Sequence, residues 1–418
     1  MFYPASRSHP HRPNVIGTRH AIAAGHYLAA QAGFLVLEGG GNAIDAGVAA
    51  GITMNVVESQ MCCFGGVAPI MIYSVERDEV ITISGLGTWP KAASCDYFRT
   101  HHNGDIPKDL SQTVVPGAPD AWVTALEEFG TISFAEAAAA AIRFARDGFP
   151  VDWQMAHYIE QRVDDFNTWP SSAAVFLPNG RPPCPGELLT QVELAQTLQF
   201  LADEEAAAAA KGGRQGGLKA VRDAVYRGDI AATIVKFHEE NGGLLSAEDM
   251  AGFRAAIESP VSTRFGDLTV YSCGPWCQGP MLLQEIALVR GFDLKGLGHN
   301  SPEYVHVLLE AIKLAAADRE AYYGDPRFVE VPMDELLSES YATERRKMID
   351  PKRAWPDLPP PGATRAASGS RRQQPQPLPE GPRQWSETSD TTYVCVVDRD
   401  GNAVSITPSD GDARRSPV

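Results

Sequence analysis

Residues 391–407 read as two β-rich runs around an Asp-Gly-Asn turn signal, the pattern of a hairpin. Directly upstream, residues 351–390 are crowded with Pro, Gly, Ser, Arg and Gln and show no core-forming periodicity. A flexible leash tied to the first residue of a buried strand is what a chain needs if it is to be cut there. Thr391 stands at that junction. A threonine freed at a strand start carries its own base, because its α-amino group lies beside its hydroxyl and titrates near neutrality. Thr391-Thr392 by itself is ordinary β-propensity. The signal lies in the combination of leash and hairpin.

The rest of the chain reads as a large α/β unit punctuated by glycine. Residues 19–37 place apolar side chains at helical spacing and are stopped by Gly39-Gly40-Gly41. Asn42 then offers an N-cap for a second helix over 43–57, so small and apolar that burial on most sides is expected. Gly65-Gly66 leads into a strand at 68–74, with a second strand at 79–84. Helices are expected at 120–129 and 133–147, after the loop Val115-Pro116-Gly117-Ala118-Pro119. The acidic and alanine-rich run 203–210 and the glycine-rich 211–217 read as a solvated helix end followed by a flexible loop. Further on, Ser246 opens a short helix, 268–272 is a strand, and helices are expected from Gly279 to Val289 and over 302–323.

With 418 residues the chain can bury a sizeable core in one or two domains. Its net charge of −16 argues against nucleic acid and against an anionic membrane surface as partners. No stretch has the length of a membrane span, and residues 1–13 lack the apolar middle of a secretion signal, so a cytoplasmic protein is the expectation. Seven scattered cysteines do not make a disulfide framework. Cys273 and Cys277 alone approach ligand spacing, but without a second pair or a neighbouring histidine they read as buried thiols and not as a zinc site. No metal or organic cofactor is signalled.

Other motifs favour structural readings. The run Glu38 to Gly41 before a helix has the look of a phosphate cradle, yet it lacks the lysine of a P-loop and follows a helix, so a helix-to-helix turn is expected. The ten histidines offer no His-x-x-x-His, and no Gly-x-Ser-x-Gly elbow occurs. His101-His102 reads as surface. Asp318-Arg319 and Asp325 read as an ion pair that holds the next loop.

A set of ordered blocks goes further. Leu37-Glu38-Gly39-Gly40-Gly41-Asn42-Ala43-Ile44-Asp45-Ala46, Gly65-Gly66, Val115-Pro116-Gly117 and Ala145-Arg146-Asp147-Gly148-Phe149 are followed by Gly242-Gly243-Leu244 with Glu248-Asp249, Ala317-Asp318-Arg319 and Tyr323-Gly324-Asp325-Pro326. The series ends in Asp390-Thr391-Thr392-Tyr393, Val396-Val397-Asp398 and Asp400-Gly401-Asn402-Ala403-Val404. In order and approximate spacing, over nearly the whole chain, these blocks resemble the γ-glutamyltransferase family.

The resemblance implies an N-terminal nucleophile hydrolase, an α/β (α+β) four-layer αββα sandwich made as a precursor that cuts itself between Asp390 and Thr391. It implies Thr391 as nucleophile toward a small-molecule γ-glutamyl or related acyl amide, with water or an amine as acceptor. Ser409 keeps a hydroxyl where relatives carry a second threonine, and Ser409 and Thr407 are the candidates for catalytic support. Residues 1–350 then correspond to a large-subunit-like region, 351–390 to the segment ending at the cut, and 391–418 to the start of a small-subunit-like region.

Departures qualify the substrate. Only 27 residues follow Thr391 (418 minus 391), against a much longer C-terminal subunit in the family, which would carry the oxyanion hole and an acidic residue for the substrate amine. The C-terminal part is therefore expected to be truncated, the 418-residue chain alone inactive or unstable, and the missing C-terminal subunit a partner. Residues 85–90, Gly-Leu-Gly-Thr-Trp-Pro, contain no arginine to clamp the γ-glutamyl carboxylate. Tyr393 stands where many relatives have His, and Gly411 cannot replace an asparagine amide. Two alternatives follow: a cephalosporin-acylase-like side-chain amidase on the same fold, and a non-catalytic relative.

Overall fold

Every residue of the helix Ala43–Val57 is buried, and the first part of the molecule is organised around it. The computed structural model describes residues 16–107, 109–364 and 391–410. It divides into two compact units, one formed by Met1–Glu79, Gly85–Ala256 and Thr388–Val418, the other by Val80–Ser84 and Ile257–Glu387.

In the first unit the strand Val394–Val397 pairs antiparallel with Ala21–Ala24 on one side and with Ala403–Ile406 on the other. Ala403–Ile406 pairs in turn with Ile70–Ser74. Strands from three distant parts of the chain thus share one sheet, and the alternation of side chains sends Val394, Val396, Val404, Ile406, Ile70 and Ile72 to a buried face. Gly47 and Gly51 let the neighbours of the buried helix approach closely. A Cβ on Gly47 would stand 2.7 Å from Val404 Cγ1, and one on Gly51 would stand 2.5 Å from Trp122 Cη2. Small residues on that helix are therefore a packing requirement as well as an apolar pattern.

The N-terminus of this helix is occupied by the protein itself. Asn42 and Asp45 form a capping box, and the amide of Ala43 donates to Asp398 Oδ2 at 3.0 Å. Asp398 also accepts from the amides of Asp400 and Asn402, both at 3.0 Å, and so fixes the hairpin turn with the same carboxylate. The glycine run before Asn42 is a helix-to-helix turn, and the amides of Gly39, Gly40 and Gly41 donate to the carbonyls of Leu35, Leu37 and Val36.

Three sequence expectations are corrected in this unit. The helix expected over 19–37 begins only at Tyr27, and Ala21–Ala24 is a strand. Local spacing favours a helix there, but pairing with Val394–Val397 satisfies the backbone in extended form. The loop expected at 211–217 is helical, part of Val192–Tyr226, which breaks at Gly213 with φ 63°. Arg214 donates to Ile132 O at 2.9 Å and Gln215 to Glu127 O at 3.0 Å, which fastens the segment down. Glu205, expected in solvent, is buried and accepts from the amides of Phe134 and Ala135, both at 2.7 Å. It supplies the negative charge that a helix N-terminus favours.

The second unit holds the antiparallel strands Val261–Phe265 and Leu268–Ser272 and the helices Gly279–Val289, Pro302–Tyr322 and Glu339–Arg346. Leu288, Val289, Ala311, Leu314, Ala315 and Ile349 form its core cluster. Asp318 is structural, as expected, but its partner is not Arg319. It pairs with Arg345 at 3.1 Å and accepts from the Gly362 amide at 2.8 Å, while Arg319 reaches Gln278 at 2.6 Å and Asp325 pairs with Arg327. Among the described residues no helix is long and apolar enough to cross a membrane, and no cluster of three or more His, Cys, Asp or Glu has the arrangement of a metal site.

Candidate active site

Thr391 lies exposed three residues before the strand Val394–Val397, and its hydroxyl is 3.1 Å from that of Ser409. Ser409 Oγ is also 3.1 Å from the carbonyl oxygen of Asp410. A serine hydroxyl has one hydrogen. With that hydrogen directed at Asp410 O, the Thr391 hydroxyl donates to Ser409, and the two oxygens form a short polarised chain. The hairpin brings residues 391 and 409 together, because Thr391 precedes its first strand and Ser409 follows its second.

Both ends of that chain are anchored by backbone. Ser409 exchanges two backbone hydrogen bonds with Val67, at 2.8 and 3.0 Å. A Cβ on Gly66 would stand 2.3 Å from Ser409 O, so this approach requires glycine. Gly66 O accepts from the amides of Gly117 and Ala118, both at 2.9 Å, at the start of the helix Ala118–Phe129. The adjoining Pro116 carbonyl accepts from the buried Tyr226 hydroxyl at 2.7 Å. The glycine pair and the Val-Pro-Gly loop singled out in the sequence are thus successive links behind Ser409.

On the other side, the residue after Thr391 is locked in the interior. Thr392 is buried, its amide donates to Pro408 O at 3.3 Å, and its hydroxyl donates to Glu58 Oε2 at 2.7 Å. The Gly25 amide donates to Tyr393 O at 3.0 Å. A Cβ on Gly25 would stand 2.0 Å from Thr392 Oγ1 and 2.5 Å from Glu58 Oε2. Burial pushes the Glu58 carboxyl above the usual carboxylate range against the opposing pull of the Thr392 hydrogen bond, and the charge of Asp152 pushes it further. Burial holds the imidazole of His26 below its ordinary value, with Asp152 acting in the opposite sense.

Of the residues expected from sequence, Thr391 and Ser409 meet. Thr407 holds Pro69 O through its amide at 3.1 Å, but the hydroxyl in contact with Thr391 is that of Ser409. Asp390 lies outside the described residues. The sequence reading missed Glu58, Gly25 and Asp410. Glu58 was detectable as the charged residue that closes a helix with no charge after Asp45; Gly25 carried no signal beyond being a glycine. Cys62 and Cys63, just before Gly65-Gly66, have thiols driven well above their ordinary range, chiefly by burial and then by the nearby charge of Asp410. Such thiols are inert at neutral pH. His101 is exposed and stacks on Tyr97, at the surface as expected.

Comparison with known proteins places this geometry. The sequence profile described as gamma-glutamyltranspeptidase matches residues 29–412. The glutathione hydrolase-like YwrD proenzyme of Bacillus subtilis (strain 168) is 32% identical over 396 residues, covering 95% of this chain and 67% of the relative. The acylase ACY 1 proenzyme of Pseudomonas sp. (strain SE83) is 31% identical over 406 residues, covering 94% of this chain and 65% of the relative. The chain therefore spans about two thirds of the length of these curated relatives. The crystal structure of cephalosporin acylase from Bacillus halodurans superimposes with a TM-score of 0.81 at 29% identity, covering 100% of this chain and 71% of that one. With the profile matched over residues 29–412 and the fold shared with solved members, the chain belongs to the gamma-glutamyltranspeptidase family and has the mixed α/β architecture of the N-terminal nucleophile hydrolases.

Proposed function

We propose that this protein is an autoprocessing threonine amidohydrolase that cleaves γ-glutamyl amides through an acyl ester on Thr391. The observation that carries the reading is the contact between the Thr391 and Ser409 hydroxyls, at the exposed head of a strand whose next residue is locked in the core. In the first step Thr391 Oγ attacks the carbonyl carbon of Asp390. The C–N bond breaks as the C–O bond forms, and the proton passes from the hydroxyl to the departing amine. Water then opens the ester, leaving a carboxylate on Asp390 and a free α-amine on Thr391. That amine serves as base for the second reaction, in which the same oxygen attacks a substrate amide, expels its amine and holds the acyl group until water or an amine acceptor takes it. Ser409 holds the nucleophile in one rotamer.

The experiment is a denaturing gel of the full-length protein with N-terminal sequencing of the smaller band. Two bands, the smaller beginning at Thr391, are expected, and Thr391→Ala leaves one. A single uncut band in the unsubstituted protein overturns the reading.

A second reading, a side-chain amidase of the acylase type, is favoured by the absence of arginine from residues 85–90 and by the acylase relative at 31% identity. Turnover of glutaryl amides in preference to γ-glutamyl anilides by the processed protein selects it. The processed partner is the protein's own C-terminal subunit, and the cytoplasm is the proposed compartment.

A further inference from the structure

The second unit carries a pair of thiols that the proposed reaction does not use. Cys273 and Cys277 flank the turn Gly274-Pro275-Trp276, which is closed by the Cys277 amide donating to Gly274 O at 3.3 Å. Folding the turn brings the two side chains together, and the Cys273 thiol is hydrogen-bonded to Cys277. Both residues are half-buried and both sulfurs are free. The sequence expectation of buried thiols is therefore corrected: both are only half-buried. Trp276 pins that turn by donating from Nε1 to Glu258 Oε2 at 2.7 Å.

The two sulfurs are not equivalent. Cys277 Sγ accepts from the Gly279 amide at 3.4 Å, in the first turn of the eleven-residue helix Gly279–Val289, and its own S–H donates to Gly274 O at 3.4 Å. The hydrogen bond from Cys273, and then that from Gly279, hold the Cys277 thiol below its ordinary range against the opposing effects of burial and of Glu258. The same hydrogen bond, reinforced by burial, pushes Cys273 upward. A thiol whose ionisation is favoured, with a second thiol in contact, is the arrangement in which one sulfur attacks and the other resolves.

We propose that Cys273 and Cys277 form a thiol–disulfide exchange site, with Cys277 as the attacking sulfur, Cys273 as the resolving sulfur and a small-molecule disulfide as the oxidant. Cys277 loses its proton to solvent, and its thiolate forms a bond to one sulfur of the disulfide as the disulfide's own S–S bond breaks. The leaving thiolate carries away the electron pair and takes up a proton. Cys273 then loses its proton to solvent and attacks Cys277 Sγ, expelling the second thiolate. The protein dithiol is oxidised by two electrons, and the disulfide is reduced to two thiols.

The test is to equilibrate the purified protein with mixtures of oxidised and reduced glutathione as probe, alkylate the remaining thiols under denaturing conditions, and weigh the peptide that contains both residues. The expected product lacks two hydrogens and is unalkylated at both cysteines, while Cys62 and Cys63 stay alkylatable. Cys273→Ser is expected to stop at a mixed disulfide on Cys277, and Cys277→Ser to slow the first attack by about tenfold or more. Absence of the internal bridge in the unsubstituted protein at every ratio overturns the proposal, whatever the variants do. Equal rates for the two variants overturn the assignment of roles.

Discussion

Gly25→Ala is the sharpest probe of how the nucleophile is held. The added methyl would stand 2.0 Å from Thr392 Oγ1 and 2.5 Å from Glu58 Oε2, in a place where both residues are buried. Gly25 itself is fixed by the hydrogen bond its amide donates to Tyr393 O, so it is the hydrogen bond between Thr392 and Glu58 that must open. A buried hydrogen bond left unmade costs about 1–3 kcal/mol. Forcing a carbon into a filled site adds about 1–3 kcal/mol. The variant is therefore expected to be less stable by about 2–6 kcal/mol, read as a lower urea midpoint at unchanged slope. Thr392→Ala removes the nearer of the two atoms in the way. The double variant is expected to be more stable than the sum of the two single losses by at least about 1 kcal/mol. A loss below about 1 kcal/mol for Gly25→Ala, or additivity within about 0.5 kcal/mol, refutes the reasoning.

Ser409→Ala is expected to slow self-cleavage at Thr391 by about 10- to 100-fold without abolishing it, because it removes a partner of the attacking oxygen and leaves the oxygen; a gel time course reads the rate. Glu58 is protonated more readily in the fold than in the open chain, so its contribution to stability is fully present below about pH 4.3 and is lost as pH rises through its raised folded value. Glu58→Gln should flatten that part of the stability profile in urea titrations taken at successive pH values, and an unchanged slope sinks the assignment. Arg222→Met removes a partner from Asp120, which is fully buried, and from Glu127, and is expected to cost about 3–5 kcal/mol by calorimetry. Asp398→Ala takes the carboxylate from the Ala43 amide and from the hairpin turn together, and a loss of about 2 kcal/mol or more in thermal unfolding is expected.

Much of both units was legible one element at a time. The strands of the hairpin, the helix Ala43–Val57 with its Asn42 cap, and the helices Phe134–Asp147, Gly279–Val289 and Pro302–Tyr322 fall where spacing and capping residues put them. Each is specified by residues within a turn or two of one another. Ala21–Ala24 was misread because its apolar spacing fits a helix and its strand partner lies more than 370 positions away. The glycine-rich 211–217 was misread because its anchors, Ile132 and Glu127, belong to another part of the chain.

The site divides in the same way. By itself the sequence determined where the chain offers a nucleophile, since Thr391 follows a coreless stretch and opens a hairpin whose turn is written in local residues. Tertiary structure alone decided what surrounds it: that Ser409 and not Thr407 meets its hydroxyl, and that Glu58 holds Thr392 from 334 positions away. The reason is physical. Backbone periodicity and caps are satisfied by near neighbours, whereas a buried hydroxyl or carboxylate must find its partner wherever packing delivers one.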